Sequence, residues 1–413
     1  MEIKQPAPLS GAIGFVLITI FLDALGIGLL VPIIPELIGE LTLASVSEAA
    51  VYGGMLTALF ATFQFFATPV MGNLSDSYGR RPVMLLSLAA FGCSYLVMGF
   101  STTITWLFVA QCLTGLFSAT PSVAAAFIAD VSRVEQRAKR FGALGAAFGS
   151  GLVFGPVTSG ILAEWGTRIP IFVAAAVTFL NLCFGYFVLK ETLPPALRRK
   201  FSIRSSSPWR VVLTLRHKPQ MSQLLLVLLG VHLALNIVPA VWPYFTSYHF
   251  HWTAKEIGYS LGLYGAVSIF SQGFLVGKLA KRYGSLTASA TGIVGLALGT
   301  AGLAMVNTQW MAIALIVPTA LGFMINAALV GHMSGKVSPS EQGQLQGAVA
   351  SIRSFAAVIA PATVPPIFYL FTRQPQSLNL PGAPFIIAAV LALTALWLLN
   401  STPDSDQQSG IGK

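Results

Sequence analysis

The chain is broken, again and again, by runs of roughly twenty apolar residues, and nothing else in it restricts the fold so strongly. A run of that length crosses the hydrocarbon core of a bilayer as an α-helix at about 1.5 Å per residue. In lipid only helices and closed barrels satisfy every backbone group. These runs are uninterrupted rather than alternating, which selects helices. They lie near 11–34, 51–72, 83–102, 105–129, 141–163, 170–189, 221–248, 257–277, 287–306, 310–333, 345–370 and 382–400, six in each half of the 413 residues. Charged residues make up only 9% of the chain, against about 25% in a soluble domain. The expectation is an all-α membrane protein of about twelve transmembrane helices.

The second half repeats the first. Gly72, Tyr78 and Gly79 recur as Gly277, Tyr283 and Gly284, an offset of 205 positions, and Gly53, Gly142 and Pro156 keep the same offset to Gly258, Gly347 and Pro361. A shared offset at unrelated points marks a duplicated unit. Carriers built from two such repeats place the substrate between them, near the middle of the membrane. The organisation expected is a six-helix bundle at 1–189, a cytoplasmic linker at 190–220, a second bundle at 221–400 and a short cytoplasmic tail at 401–413. The linker holds Pro194, Pro195 and a basic run at 198–200, suited to the anionic leaflet.

A formal net charge of +10 would suit a nucleic-acid partner, but the basic residues sit between apolar runs, where they set orientation. With the N-terminus inside, the inner connections hold Lys4, Arg80, Arg81, Arg133, Arg137, Lys139, Arg140, the basic linker, Lys278, Lys281, Arg282, Lys336 and Lys413. The outer ones hold Arg168, Lys255 and Arg373, so the count is roughly twenty against three. Both termini are therefore expected in the cytoplasm. Cys93, Cys112 and Cys183 are odd in number and far apart, which supports neither a disulfide framework nor a metal site. The first run lacks a basic start and a small-residue cleavage site, and reads as a retained helix rather than a signal peptide. No metal cluster, nucleophile set or phosphate-cradling loop is visible, so neither an enzyme nor a cofactor is expected.

Charges inside a span cost several kcal/mol unless paired or watered, which makes them functional candidates. Two lie deep. Asp23 stands near mid-membrane in the first run, followed by Gly26 and Gly28. The cost of its charge depends on whether water reaches it, so it is placed to exchange a proton as its surroundings open and close. It can alternatively bind a substrate group or pack as a hydrogen-bonded residue. Arg353, about 12 Å into the eleventh run, stays charged at any physiological pH. It reads either as an anchor for a carboxylate or phenolate or as a structural partner of Asp23 or of helix carbonyls. Gln64, Gln111, His232, Asn236, Gln272 and Asn326 are further polar positions within runs and candidate substrate contacts. His232, which titrates near neutrality when exposed, is the second candidate for proton coupling, against the alternative of a hydrogen-bonded spacer.

Several stretches then point to a family. They are Asp23 with Gly26 and Gly28; the segment Gly72, Asp76, Gly79, Arg80, Arg81 and Pro82; Phe127 to Asp130 followed by Glu135 and Arg137; Gly151, Gly155 and Pro156; and Gln342 to Gly347. Together they resemble the tetracycline-resistance branch of the major facilitator superfamily over nearly the whole chain. The resemblance implies a bacterial inner-membrane drug:proton antiporter, of the kind active in multidrug or antibiotic efflux. It implies that Gly72, Asp76, Gly79, Arg80, Arg81 and Asp130 form a lock that holds one half against the other in the outward-facing state. In the first copy Gly72 is expected to end the second span, and Asp76 to accept backbone amides at a helix start. Gly151, Gly155, Pro156 and Gly160 resemble the antiporter motif, or serve only as a packing face of small residues.

The chain also departs from that family. Gln111 stands where an Arg is usual in the fourth span. Ser94, Gly295 and Ser268 align where tetracycline pumps carry acidic residues in spans three and nine and a His in span eight. Losing those groups while gaining Arg353 favours an anionic or neutral amphiphile over a tetracycline–metal cation. The function expected is proton-coupled export of amphiphilic small molecules by a monomer, with protons and the lipid bilayer as its other partners. A symporter or facilitator importing an organic anion or nutrient is the alternative.

Overall fold

A computed structural model describes residues 10–118, 120–198, 219–338, 341–373 and 379–401. Within them, twelve helical stretches are long and apolar enough to cross a membrane, which bears out the expected architecture. Large apolar side chains project from them, with Trp310 82% exposed, Phe187 81% and Leu180 70%. Against water such a surface would aggregate; against acyl chains it is the required solvent match.

The helices of the first half are α1 (Ser10–Leu30), α2 (Ile34–Thr42), α3 (Val46–Tyr78), α4 (Arg80–Gly99), α5 (Ile104–Phe117), α6 (Thr120–Val131), α7 (Val134–Ala163) and α8 (Ile169–Val188). The second half has α9 (Pro219–Phe250), α10 (Ala254–Phe270), α11 (Val276–Tyr283), α12 (Ser285–Ala304), α13 (Gln309–Ala320), α14 (Ile325–Gly335), α15 (Gln342–Thr372) and α16 (Ala383–Asn400). A π-helical turn, Ser271–Leu275, joins α10 to α11, and a 3₁₀ turn, Leu321–Met324, joins α13 to α14.

The short helix α2 has no counterpart among the apolar runs. It ends at Leu43 in the left-handed region, φ 55°. Ser45 and Glu48 then open α3 with a capping box, each satisfying the other's backbone amide.

The chain forms two compact units, Met1–Ser207 with Thr246–Gly265, and Pro208–Phe245 with Ala266–Lys413. The segment 246–265, in the second half by sequence, thus belongs with the first unit. In the first unit α1 packs on α7 and α8, α3 on α5, and α4 on α5 and α8; in the second, α12 packs on α13 and α16. The third span therefore pairs with the sixth and the ninth with the twelfth, as a duplicated unit requires. The turn between α3 and α4 and the turn between α11 and α12 also match: Gly79 has φ 112° and Gly284 φ 87°. Most of the linker, 199–218, and the tail from 402 onward lie outside the described residues.

One boundary is corrected. Gly72 does not end the second span, because α3 continues through it to Tyr78. A Cβ placed at Gly72 would meet nothing within 4 Å, so no neighbour approaches it closely. The apolar run ends near Gly72, but the helix runs on for another turn and a half on its polar continuation Asn73 to Tyr78.

Candidate functional site

In the second unit, four helical segments bring their polar residues together. The π turn presents Gln272, α14 presents Asn326 at its second position, and α15 presents Arg353. Arg353 Nη2 donates to Asn326 Oδ1 at 3.0 Å, and Asn326 Nδ2 donates to Gln272 Oε1 at 3.5 Å. His232 on α9 is buried beside them, within electrostatic reach of Asn326 and Arg353. Its Nε2 finds no hydrogen-bond partner among the described residues. Asn236, one turn on, spends its amide on the His232 carbonyl at 2.8 Å.

No carboxylate pairs with Arg353 among the described residues. Its partner is a neutral amide, so the guanidinium keeps a charge and free donors. A π turn frequently marks a functional site because it rotates side chains off the regular helical face. Here it carries Gln272 into the chain of polar groups.

The first unit holds the other deep charge. Asp23 is 5% exposed on α1, and no cation pairs with it among the described residues. Thr120, at the start of α6, and Tyr95, on α4, lie within electrostatic reach of its carboxylate. One turn earlier on α1, Thr19 Oγ1 and Asn181 Nδ2 are spent on each other at 3.2 Å.

Gln64 donates to Ser118 Oγ at 2.6 Å, tying α3 to the end of α5. Gln111 is half-buried on α5 and joins neither polar group. The positions that lack the family's two acids and its His are closed by packing. Ser94 donates to the Ala110 carbonyl at 2.7 Å, Ser268 is buried, and a Cβ at Gly295 would strike the Pro318 carbonyl.

The residues expected to form a lock divide into a network and one bystander. Arg80 is the hub: its guanidinium bonds Asp76 on α3, Asp130 on α6 at 3.2 Å and Ser75 Oγ at 2.7 Å. Arg81 donates to the Tyr186 carbonyl at 2.7 Å and stacks over its ring. Gly72 takes no part. Asp76 does not cap a helix start, as expected from its spacing, because it lies in the last turn of α3 and faces Arg80.

Glu191, which sequence reasoning missed, performs that task. Its carboxylate accepts from the amides of Arg80 at 2.9 Å and Arg81 at 3.2 Å, the orphan donors at the start of α4. It also accepts from its neighbours Thr192 and Leu193. Gly79 is required twice over here, by its positive φ and because a Cβ would strike the Glu191 carboxylate. A carboxylate just past the sixth span was its only sequence signal.

The small residues of α7 face two ways. Gly151 and Gly155 lie against the backbone of α1 at Phe21, Leu25 and Gly28. Gly160 lies against Ala254 and Lys255, and Pro156 against Gly258. The motif is thus a contact face within the first unit, closed at one end by Lys255 Nζ donating to Glu164 Oε1 at 2.7 Å.

Comparison with known proteins follows the same lines. A family model described as Major Facilitator Superfamily matches residues 16–361. The chain is similar to the class C tetracycline resistance protein of Escherichia coli, 35% identical over 388 residues, 94% of this chain and 96% of that protein. It is also similar to the class H tetracycline resistance protein of Pasteurella multocida, 32% identical over 392 residues, 94% and 96% of the two chains. Among solved structures, a bacterial homologue of the human lysosomal transporter Spinster shares the fold. The TM-score is 0.79 at 14% identity, covering 96% of this chain and 97% of that one.

Proposed function

The chain belongs to the major facilitator superfamily, and from that premise we propose that it is a proton-coupled exporter of amphiphilic small molecules. It works in the bacterial inner membrane as a monomer with both termini in the cytoplasm, by alternating access between two halves. Asp23 exchanges the proton. Arg353, with Asn326 and Gln272, holds the polar end of the substrate, and Arg80 with Asp76, Asp130 and Glu191 serves the lock.

The observation that carries this reading is that, among the described residues, each deep charge lacks an opposite charge. A buried carboxylate without a cation is built to lose and regain its charge. A guanidinium held by an amide is available to an anion or a carbonyl-rich ligand. Tetracycline resistance in the relatives makes that drug a candidate, but Ser94 and Gly295 supply no acid and Ser268 no imidazole, so an anionic or neutral amphiphile fits better. His232, buried with Nε2 unpartnered, is a secondary proton site or substrate contact in the same region.

Everted vesicles with an imposed pH gradient test the mechanism. An exporter loads them when the interior is acid, a symporter empties them, and indifference to the gradient removes antiport. The second reading is a symporter or facilitator importing an organic anion or nutrient, and it is kept because Gln111, an amide where the family usually carries an Arg, leaves the usual antiport route without that charge.

A further inference from the structure

Among the described residues of the first unit, the buried oxygens without a hydrogen-bond partner include Asp23 Oδ2 on α1, Tyr95 Oη on α4 and Thr120 Oγ1 on α6. Their residues are 5%, 1% and 0% exposed. Buried polar atoms are almost always satisfied, and each exception calls for a cause. Here the three share one place. Gly26 follows Asp23 by one turn of α1, and a Cβ on it would lie 2.5 Å from Tyr95 Oη, so the glycine makes the notch into which that hydroxyl fits. Thr120 stands on the other side, within reach of the same carboxylate.

Among the described residues, the other groups named against this stretch of α1 carry no charge. Helix α7 offers Gly151 and Gly155, and α8 offers Asn181, already bonded to Thr19. Of the groups named, only Tyr95 can titrate beside Asp23.

We propose that Asp23, Tyr95 and Thr120 enclose one buried water, and that Tyr95 is the residue that positions the Asp23 carboxyl for proton exchange. A water with two to four polar partners is a normal part of an interior, and three convergent oxygens meet that need. The phenol can donate to the water or to the carboxylate, and Thr120 can donate or accept as the carboxyl changes state. The site thus serves both protonation states without moving a helix. It rests on the reading of Asp23 as the proton carrier.

Infrared difference spectra of the full chain in lipid, recorded across pH in H2O and D2O, test it. The carboxyl band that vanishes in Asp23→Asn identifies the residue. Tyr95→Phe keeps the ring and removes one oxygen, so that band should move to higher wavenumber as it loses a hydrogen bond. The pH profile of gradient-driven uptake into everted vesicles should move with it. Thr120→Val should give a smaller shift in the same sense, and Thr120→Ser should restore the original band. If Tyr95→Phe and Thr120→Val lower only the yield of folded protein, leaving band and profile in place, the proposal is overturned. Should Asp23→Asn transport at full rate, the coupling role fails alone, because the band still reports whether Tyr95 touches Asp23.

Discussion

The two halves share a scaffold and differ in what they do with charge. Each turns at a glycine of positive φ, Gly79 or Gly284, and each packs its third helix on its sixth. Yet the first copy of the turn gathers Asp76, Arg80, Asp130 and Glu191 into a network, while the second offers Lys281 and Arg282 with no acid among its own residues. In the interior the contrast continues. The first half hides a carboxylate among hydroxyls, and the second exposes a guanidinium along a line of amides. Both copies keep the glycine that a positive φ favours at this turn, while their side chains differ in what they do.

The largest break in that division should come from Asp23→Asn. Gradient-driven transport should fall to background while the protein still folds and inserts, as size-exclusion chromatography and transport assays on the same preparation will read. Arg353→Ala should come next. A charged hydrogen bond contributes about 1.5–3 kcal/mol, so affinity for anionic substrates should drop roughly tenfold or more, with neutral ones affected less. An equal loss for both would place Arg353 in a structural role and erase the contrast between the halves.

Much of this was legible because lipid is a strict solvent. Twelve apolar runs had to be helices, and two ionised groups inside them had to mean something. What the runs concealed is how their small polar residues converge. Tyr95 and Thr120 look like any hydroxyl in an apolar stretch, and no spacing links them to Asp23. Gln272 and Asn326 stood out as polar, but only the π turn and the 3₁₀ turn aim them at one another. Gly72 misled for a physical reason, since hydropathy reports the membrane edge and not the helix end. Glu191 hid because a carboxylate after a span looks solvated, and its partners lie more than a hundred residues away.

A third effect sharpens the comparison of the turns. Arg80→Ala strips the cation from between two carboxylates, in a site where its own side chain is 9% exposed. It should cost on the order of 2 kcal/mol, less than a fully buried pair because Asp76 is partly solvated. Thermal unfolding in detergent measures it, and a null result would reduce the network to surface pairing. The smallest difference is the most specific. Gly79→Ala and Gly284→Ala each force a Cβ into backbone space that glycine alone occupies easily, at about 1–3 kcal/mol. Gly79→Ala should melt lower, because its methyl also meets Glu191, whereas nothing lies within 4 Å at Gly284. Adding Glu191→Ala to both should shrink the gap if that clash is its cause.

The grip of Glu191 has a mechanical side. One carboxylate ties the amides that open α4 to those of Thr192 and Leu193, where the chain leaves the first half. Tension along the departing strand is thus delivered to the root of α4 without slack, and a cut made beyond Leu193 would free an end while leaving that anchor seated.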